Sequence, residues 1–243
     1  LRKLLKKIIL KISLMNEVCL KKLSSNQYYL LYEEKPLNTS NGNIILIPMI
    51  KSKTQLIKKI NSEFLKKNSN FMQLLFFSND MDDNKKKTVS ESILNFINTD
   101  TVCFRDKDKP ELLELQKKRW DNYLYFCNKY FYLDFHVNYS IFLKKQKIDI
   151  HSKIKKILNK MTNYHLTTFY FLVKTTNSII ISLNILFNDT EADLAWKDSN
   201  LEYEYNKSVW GEDSESKKNF LLKKSFYTDI INFISFFDKE HYE

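Results

Sequence analysis

Glycine is nearly missing from this chain: Gly42 and Gly211 are the only two in 243 residues. That scarcity excludes several chemistries at once. Neither GxxxxGK(S/T) nor GxGxxG can be written, so no glycine loop is available to wrap a phosphate. The GxSxG elbow of serine hydrolases is absent as well. Cysteine is scarce too. Cys19, Cys103 and Cys127 are odd in number, widely spaced and without a CxxC pair. They argue against a metal knuckle or disulfide framework and fit a reducing compartment. His136, His151, His165 and His241 form no HExxH or HxH pair. Asp80, Asp82 and Asp83 lack the ligand ladder and glycine of a Ca²⁺ loop. Asp134 and His136 read as structural. The expectation is a protein that is not an enzyme and takes no cofactor.

Arginine is also rare. The formal charge is +10, but Arg2, Arg105 and Arg119 are the only arginines; the other basic residues are lysine. Abundant Asn, Ile, Tyr and Phe beside them suggest a drift toward AT-rich codons. A selected phosphate surface would favour the bidentate fork of arginine, so nucleic-acid binding is not expected. A long apolar run is missing as well. Residues 166–187, LTTFYFLVKTTNSIIISLNILF, approach spanning length but carry Lys174, Thr175, Thr176 and Asn177 at their middle. Polarity is most costly there in lipid. Two buried helices meeting at a polar junction, with no membrane insertion, fit better.

What is present has a clear order. Residues 1–14 form a presequence-like segment, since LRKLLKKIILKI is basic, amphipathic and free of acids. An exposed lead-in helix is the alternative reading. VCLKKL, QYYLLYEEKPL and NIILIPM look like strands separated by SSN and NTSNGN, with Asn41-Gly42 a tight hairpin. SKTQLIKKINSEFLKKN then places Leu56, Ile60, Phe64 and Leu65 on one helical face. FMQLLFFS stays open between a buried strand and an apolar loop. The charged break NDMDDNKKK marks the boundary between residues 15–85, an N-terminal α/β domain, and residues 86–243, a larger all-helical domain. The fold class is α+β.

Beyond the break the chain reads as helix almost throughout. Thr88 and Glu91 form a capping box for a short helix ending near Phe96. Pro110 opens another, with Leu113, Trp120, Leu124, Cys127 and Phe131 on one face. YLDFHVNYSIF loses the helical period and is extended. Further helices are expected over 151–161, 163–174, 177–188, 190–209 and 213–238, with Thr190 and Asp193 capping the fourth of these five.

Four stretches in series resemble one family, the mitochondrial assembly chaperone of the ATP synthase alpha subunit, also called ATP synthase assembly factor 2. They are EEKPLNT at 33–39, ILNFINTDTVCFR at 93–105, ELQKKRWD at 114–121 and AWKDSNLEYEYNKSVWGED at 195–213. The resemblance implies a two-domain, monomeric chaperone of the mitochondrial matrix. It would hold unassembled alpha subunit until beta subunit covers the same apolar surface, without using ATP. Three departures stand out. Glu33-Glu34-Lys35 replaces Asp-Gly-Arg, so the turn is expected to have lost its positive-φ geometry with its glycine. Asn200 stands in place of an arginine and Tyr203 in place of a glutamate.

The partner-binding residues implied are Glu202, Glu204, Trp210, Gly211, Glu212 and Asp213. Trp210 is expected to be a buried wedge between two helices, with the acids facing the partner and Gly211 as a left-handed cap. Two other classes stay open. A basic organellar RNA-binding module would show aromatics interleaved with lysine on one exposed sheet. An inactive structural subunit of a larger complex has no distinguishing residue pattern.

Overall fold

The computed structural model describes residues 17–237, apart from residues 26, 49, 141–143 and 189. The presequence-like segment lies outside them. The chain divides into two compact units: the first runs to Asp82 and takes back residues from Asn232 on, and the second runs from Asp83 to Ile231. The returning residues, which the sequence reading grouped with the helical domain, are aromatic. Phe233 and Phe236 set their rings edge-on to Phe71 at 5.4 and 5.7 Å, and Phe237 bridges Ile50.

In the first unit β1 (Cys19–Lys22), β2 (Tyr28–Tyr32), β3 (Lys35–Pro36) and β4 (Leu46–Ile47) form one antiparallel sheet. β2 pairs along its length with β1 on one edge and end to end with β3 and β4 on the other. The Tyr32↔Lys35 register leaves two residues for the β2–β3 turn. Both are glutamates at positive φ, Glu33 at 50° and Glu34 at 63°. The expected loss of this geometry is therefore corrected: a two-residue hairpin joining twisted strands imposes it whatever the residues are. Gly42 turns the next hairpin at φ 86°, its N–H donating to the Thr39 carbonyl at 3.0 Å. Asp80 fastens that loop by accepting from Thr39 Oγ1 at 2.6 Å and from the amides of Asn41 and Asn43.

Helix α1 (Lys53–Phe64) buries Leu56 and Ile60, as its period requires. Leu65 is exposed because it lies past the last turn, at the C-cap. Buried Glu63 accepts from Lys59, Lys66 and Ser69 at 2.7, 2.9 and 3.0 Å. Burial pushes this carboxyl up, but the three donors outweigh it and hold it at about 2. FMQLLFFS is neither strand nor loop but part of helix α2 (Asn70–Asn79), capped by Ser69. Phe71, Met72, Leu74 and Leu75 are all buried, and a helix apolar nearly all round has no period to read.

The second unit begins with α3 (Asp83–Leu94), followed by two short 3-10 turns, Asn95–Asn98 and Thr101–Cys103. The expected capping box fails here. Thr88 is mid-helix, bonding back to the Asn84 carbonyl at 3.0 Å, and Asp83 supplies the acidic first turn. α4 (Pro110–Phe131) buries Leu112, Gln116, Trp120, Tyr123 and Cys127. That face is rotated from the expected one because Gln116, a polar residue, belongs to it. α5 (Ile148–Lys160) is followed by α6 (Asn163–Thr176) and α7 (Ile179–Phe187). These last two are the buried pair expected across residues 166–187, joined through Asn177 at φ 54°. No helix among the described residues is long and apolar enough to cross a membrane.

The helix expected over 190–209 is two, α8 (Ala192–Ser199) and α9 (Leu201–Trp210). Asn200 separates them: its amide donates to the Trp196 carbonyl at 2.8 Å and ends α8. Thr190 and Asp193 do not cap α8, whose N-cap is Glu191 without a side-chain bond. α10 (Ser214–Ser235) completes the chain of helices.

Candidate functional site

Three of the four motif stretches converge in the second unit. Gln116 is fully buried on α4 and spans two of them, donating to Glu202 Oε1 at 2.8 Å and accepting from the Asp106 N–H at 2.9 Å. Asp198 of α8 is buried as well. It pairs with Arg119, accepts from Tyr123 Oη at 2.7 Å, and offers its carbonyl to Trp120 Nε1 at 2.8 Å. Arg105 lies with its guanidinium carbon 5.0 Å from the Trp120 ring centre and reaches Asp121 at 3.0 Å. A buried carboxylate with a partner on each oxygen is satisfied rather than reactive. These residues build a scaffold.

Asp100 of NTDTVCFR joins the 3-10 turns to α7. It accepts from Val102 N–H at 3.0 Å, Ser178 Oγ at 2.7 Å and Ile180 N–H at 3.0 Å. Full burial pushes its carboxyl up to about 6, although those donors and the N-terminus of α7 pull the other way.

On this scaffold α9 is carried outward, and none of its residues is fully buried. Each expected partner-binding residue has a distinct place. Glu202 is half-buried and held by Gln116; burial raises its carboxyl and that bond lowers it, with a net rise. Tyr203 stacks on Phe220 of α10, centroids 4.6 Å apart and planes 14° apart. Its hydroxyl donates to Glu212, which Lys207 also approaches at 3.3 Å. Asp213 caps α10 by accepting from the N–H groups of Glu215 and Ser216 at 3.0 and 2.9 Å. Gly211 takes φ 80°, ψ −174°. This is a glycine-only conformation rather than the left-handed cap expected.

Two residues are left with no internal task. The Glu204 carboxylate is exposed and forms no ion pair among the described residues. Trp210 is 82% exposed and makes no ring contact or hydrogen bond through its side chain there. The expected buried wedge is thus corrected. Trp196 has that role: it is 2% exposed and packs on Phe220 and Tyr227 at 5.3 and 5.0 Å. Trp210 is the last residue of α9 and precedes a corner, so no second helix covers it.

Sequence reasoning missed Val209, Leu221 and Leu222, all exposed on the same α9–α10 hairpin. The adjacent leucines in NFLLKK were a readable signal, since neighbouring positions on a helix point in different directions and one must face outward. The aromatic sheet that an RNA module would need is not exposed. Tyr28, Tyr29 and Tyr32 are half-buried, Tyr28 under Lys53 and Tyr32 against Phe64. Among the described residues no group of His, Cys, Asp and Glu could hold a metal ion.

Comparison with known proteins gives a consistent result. Residues 14–128 match the family model described as ATP12 chaperone protein. The mitochondrial protein atp12 of Schizosaccharomyces pombe is 26% identical over 174 residues, which cover 65% of this chain and 58% of that protein. The chain therefore spans little more than half the length of this curated relative. The fold is shared with Atp12 from Paracoccus denitrificans, at a TM-score of 0.77 and 16% identity, over 89% of this chain and 94% of that one. It is also shared with the Atu1473 protein from Agrobacterium tumefaciens, at a TM-score of 0.76 and 20% identity, over 90% and 84% of the two chains.

Proposed function

We propose that this chain acts as an ATP12-type chaperone, as its family-model match and its relative suggest, and serves to hold the unassembled alpha subunit of the mitochondrial ATP synthase until beta subunit takes its place. An isolated subunit of a hexamer exposes apolar interface, and such surface aggregates unless it is covered. The observation that carries this reading is the contrast within the WGED corner. Gly211, Glu212 and Asp213 are used internally, while Trp210 stands free beside Val209. An exposed tryptophan on a rigid corner suits an anchor residue, because its large ring buries much area at little entropic cost. Glu204 adds an acidic contact on a basic chain, whereas Glu202, two residues earlier, lies on the opposite side of α9 and is held by Gln116.

The work proposed is binding, with no reaction and no cofactor. The mitochondrial matrix is the compartment where such a subunit is assembled, and a monomer suffices for the task. The test is capture of purified alpha subunit by the full chain. Trp210→Ala and Glu204→Lys are expected to lose capture with unchanged melting temperature, and beta subunit is expected to displace the parent chain. Undiminished capture by both variants would overturn the docking role of this corner.

A further inference from the structure

A second feature of the helical unit lies apart from the α9–α10 corner. α3 and α5 run alongside a groove of about 680 Å³. Lys86 and Lys87 line it from α3, His151 and Lys155 from α5. None of these four forms an ion pair or hydrogen bond through its side chain among the described residues. Some lysines elsewhere lie within 4 Å of a carboxylate, as Lys59, Lys117, Lys153 and Lys207 do, and what sets the groove apart is that its basic residues stand together. The groove therefore gathers three lysines with no carboxylate in ion-pair contact, against the two acids, Asp83 and Glu91, that also line it.

Of its remaining polar groups Asn98 is engaged, accepting from the Gln146 N–H at 2.9 Å, but others are not. Ser90 is only 8% exposed, lines the groove, and has no side-chain hydrogen bond among the described residues. Asn95 and Asn159 are likewise unbonded through their amides. The Ser90 hydroxyl is open to solvent from the groove, so a ligand lying there can bond it in place of water.

We propose that this groove binds an acidic segment of a polypeptide partner in extended form. The lysines account for the acidity. The amides account for the polypeptide, since each offers both a donor and an acceptor, matching backbone C=O and N–H. Phosphate oxygens only accept. Asp83 and Glu91 also line the groove, and they would repel the dense charge of a nucleic-acid backbone. Carboxylates spaced along a peptide can pass between them. The α3 wall from Asp83 to Leu94 is roughly 16 Å long at 1.5 Å per residue, room for about five extended residues.

The test uses the full chain and a fluorescein-labelled peptide of alternating glutamate and alanine, followed by fluorescence anisotropy at low salt. Saturable binding is expected, weakening about tenfold or more in the Lys86→Glu, Lys155→Glu double variant and at raised salt. The Lys217→Glu, Lys218→Glu variant on α10 should bind like the parent. Equal loss in both variants would overturn the proposal by showing unspecific charge attraction, as would absence of saturable binding. Displacement of the peptide by a single-stranded RNA that binds more tightly would overturn it in favour of a phosphate site. Should the double glutamate variant melt early by circular dichroism, Lys86→Gln with Lys155→Gln replaces it, with the same expected weakening.

Discussion

Tyr203 lies flat on Phe220, ring centres 4.6 Å apart, and this stack fixes the direction in which α9 leaves the body of the helical unit. Phe220 in turn meets Trp196 at 5.3 Å. The hairpin is therefore pinned along its length by aromatic contact while its tip is bare.

The two tryptophans of the last motif should fail in opposite ways. Trp196→Ala removes a buried ring and is expected to cost about 3–5 kcal/mol, a large share of the stability of an ordinary domain. Trp210→Ala removes an exposed one, and a surface change of this kind is expected to cost under about 0.5 kcal/mol. Urea unfolding of both variants checks this. A Trp210→Ala loss near that of Trp196→Ala would mean that the ring is covered in solution.

Glu34→Gly should stabilise the first unit. Glu34 holds φ 63° between β2 and β3, a conformation that costs an L-residue roughly 1 kcal/mol and glycine almost nothing. Part of that gain is lost to the greater freedom of glycine in the unfolded chain. A rise in the urea midpoint is expected, with the slope unchanged. A fall would show that the glutamate side chain contributes more than its backbone costs.

Acid should weaken the first unit through Glu63. Its folded carboxyl titrates at about 2, below the ordinary value of 4.5, so the unfolded chain takes up the proton first. The stability it contributes is fully present above about pH 4.5 and is lost as pH falls toward 2. Glu63→Gln should remove that part of the pH dependence. It should also lower neutral-pH stability, because Lys59, Lys66 and Ser69 lose a shared acceptor.

Asp100 carries the opposite sign. Its folded carboxyl, raised to about 6 by burial, holds a proton that the unfolded chain releases near 4. Its contribution is fully present below about pH 4 and is lost as pH rises through 6. Asp100→Asn should flatten this slope and lower stability at every pH, because one oxygen acceptor is replaced by a donor facing N–H groups. Thermal melts from pH 4 to pH 7 would test it, and an unchanged slope would count against a raised value.

Much of this architecture was legible in the residues. The shift from alternating apolar runs to helical periods separates the sheet from the helices, and the polar middle of residues 166–187 marks the α6–α7 junction. Local capping was harder to read. Thr88 and Thr190 had the right neighbours but the wrong surroundings, since a cap is decided by where packing starts the helix. The site divided in the same way. WGED was visible as a corner, but spacing could not say which tryptophan is covered, because that depends on where α10 runs. Gln116 and Asp198 are ordinary surface types by composition, and only the fold buries them and brings Arg119 onto Asp198.

Gly211 gives this corner an unusual chemical property. Nothing lies within 4 Å of where a Cβ would sit, so space is no obstacle to a side chain and handedness is the whole obstacle. At φ 80°, ψ −174° a D-residue sits where its mirror image rests in an ordinary extended conformation. L-alanine at this position would bend the path into α10. D-alanine, placed there by chemical ligation, would match the φ and ψ that strain an L-residue and would restrict the unfolded chain, so the backbone here favours a handedness that no ribosome normally supplies.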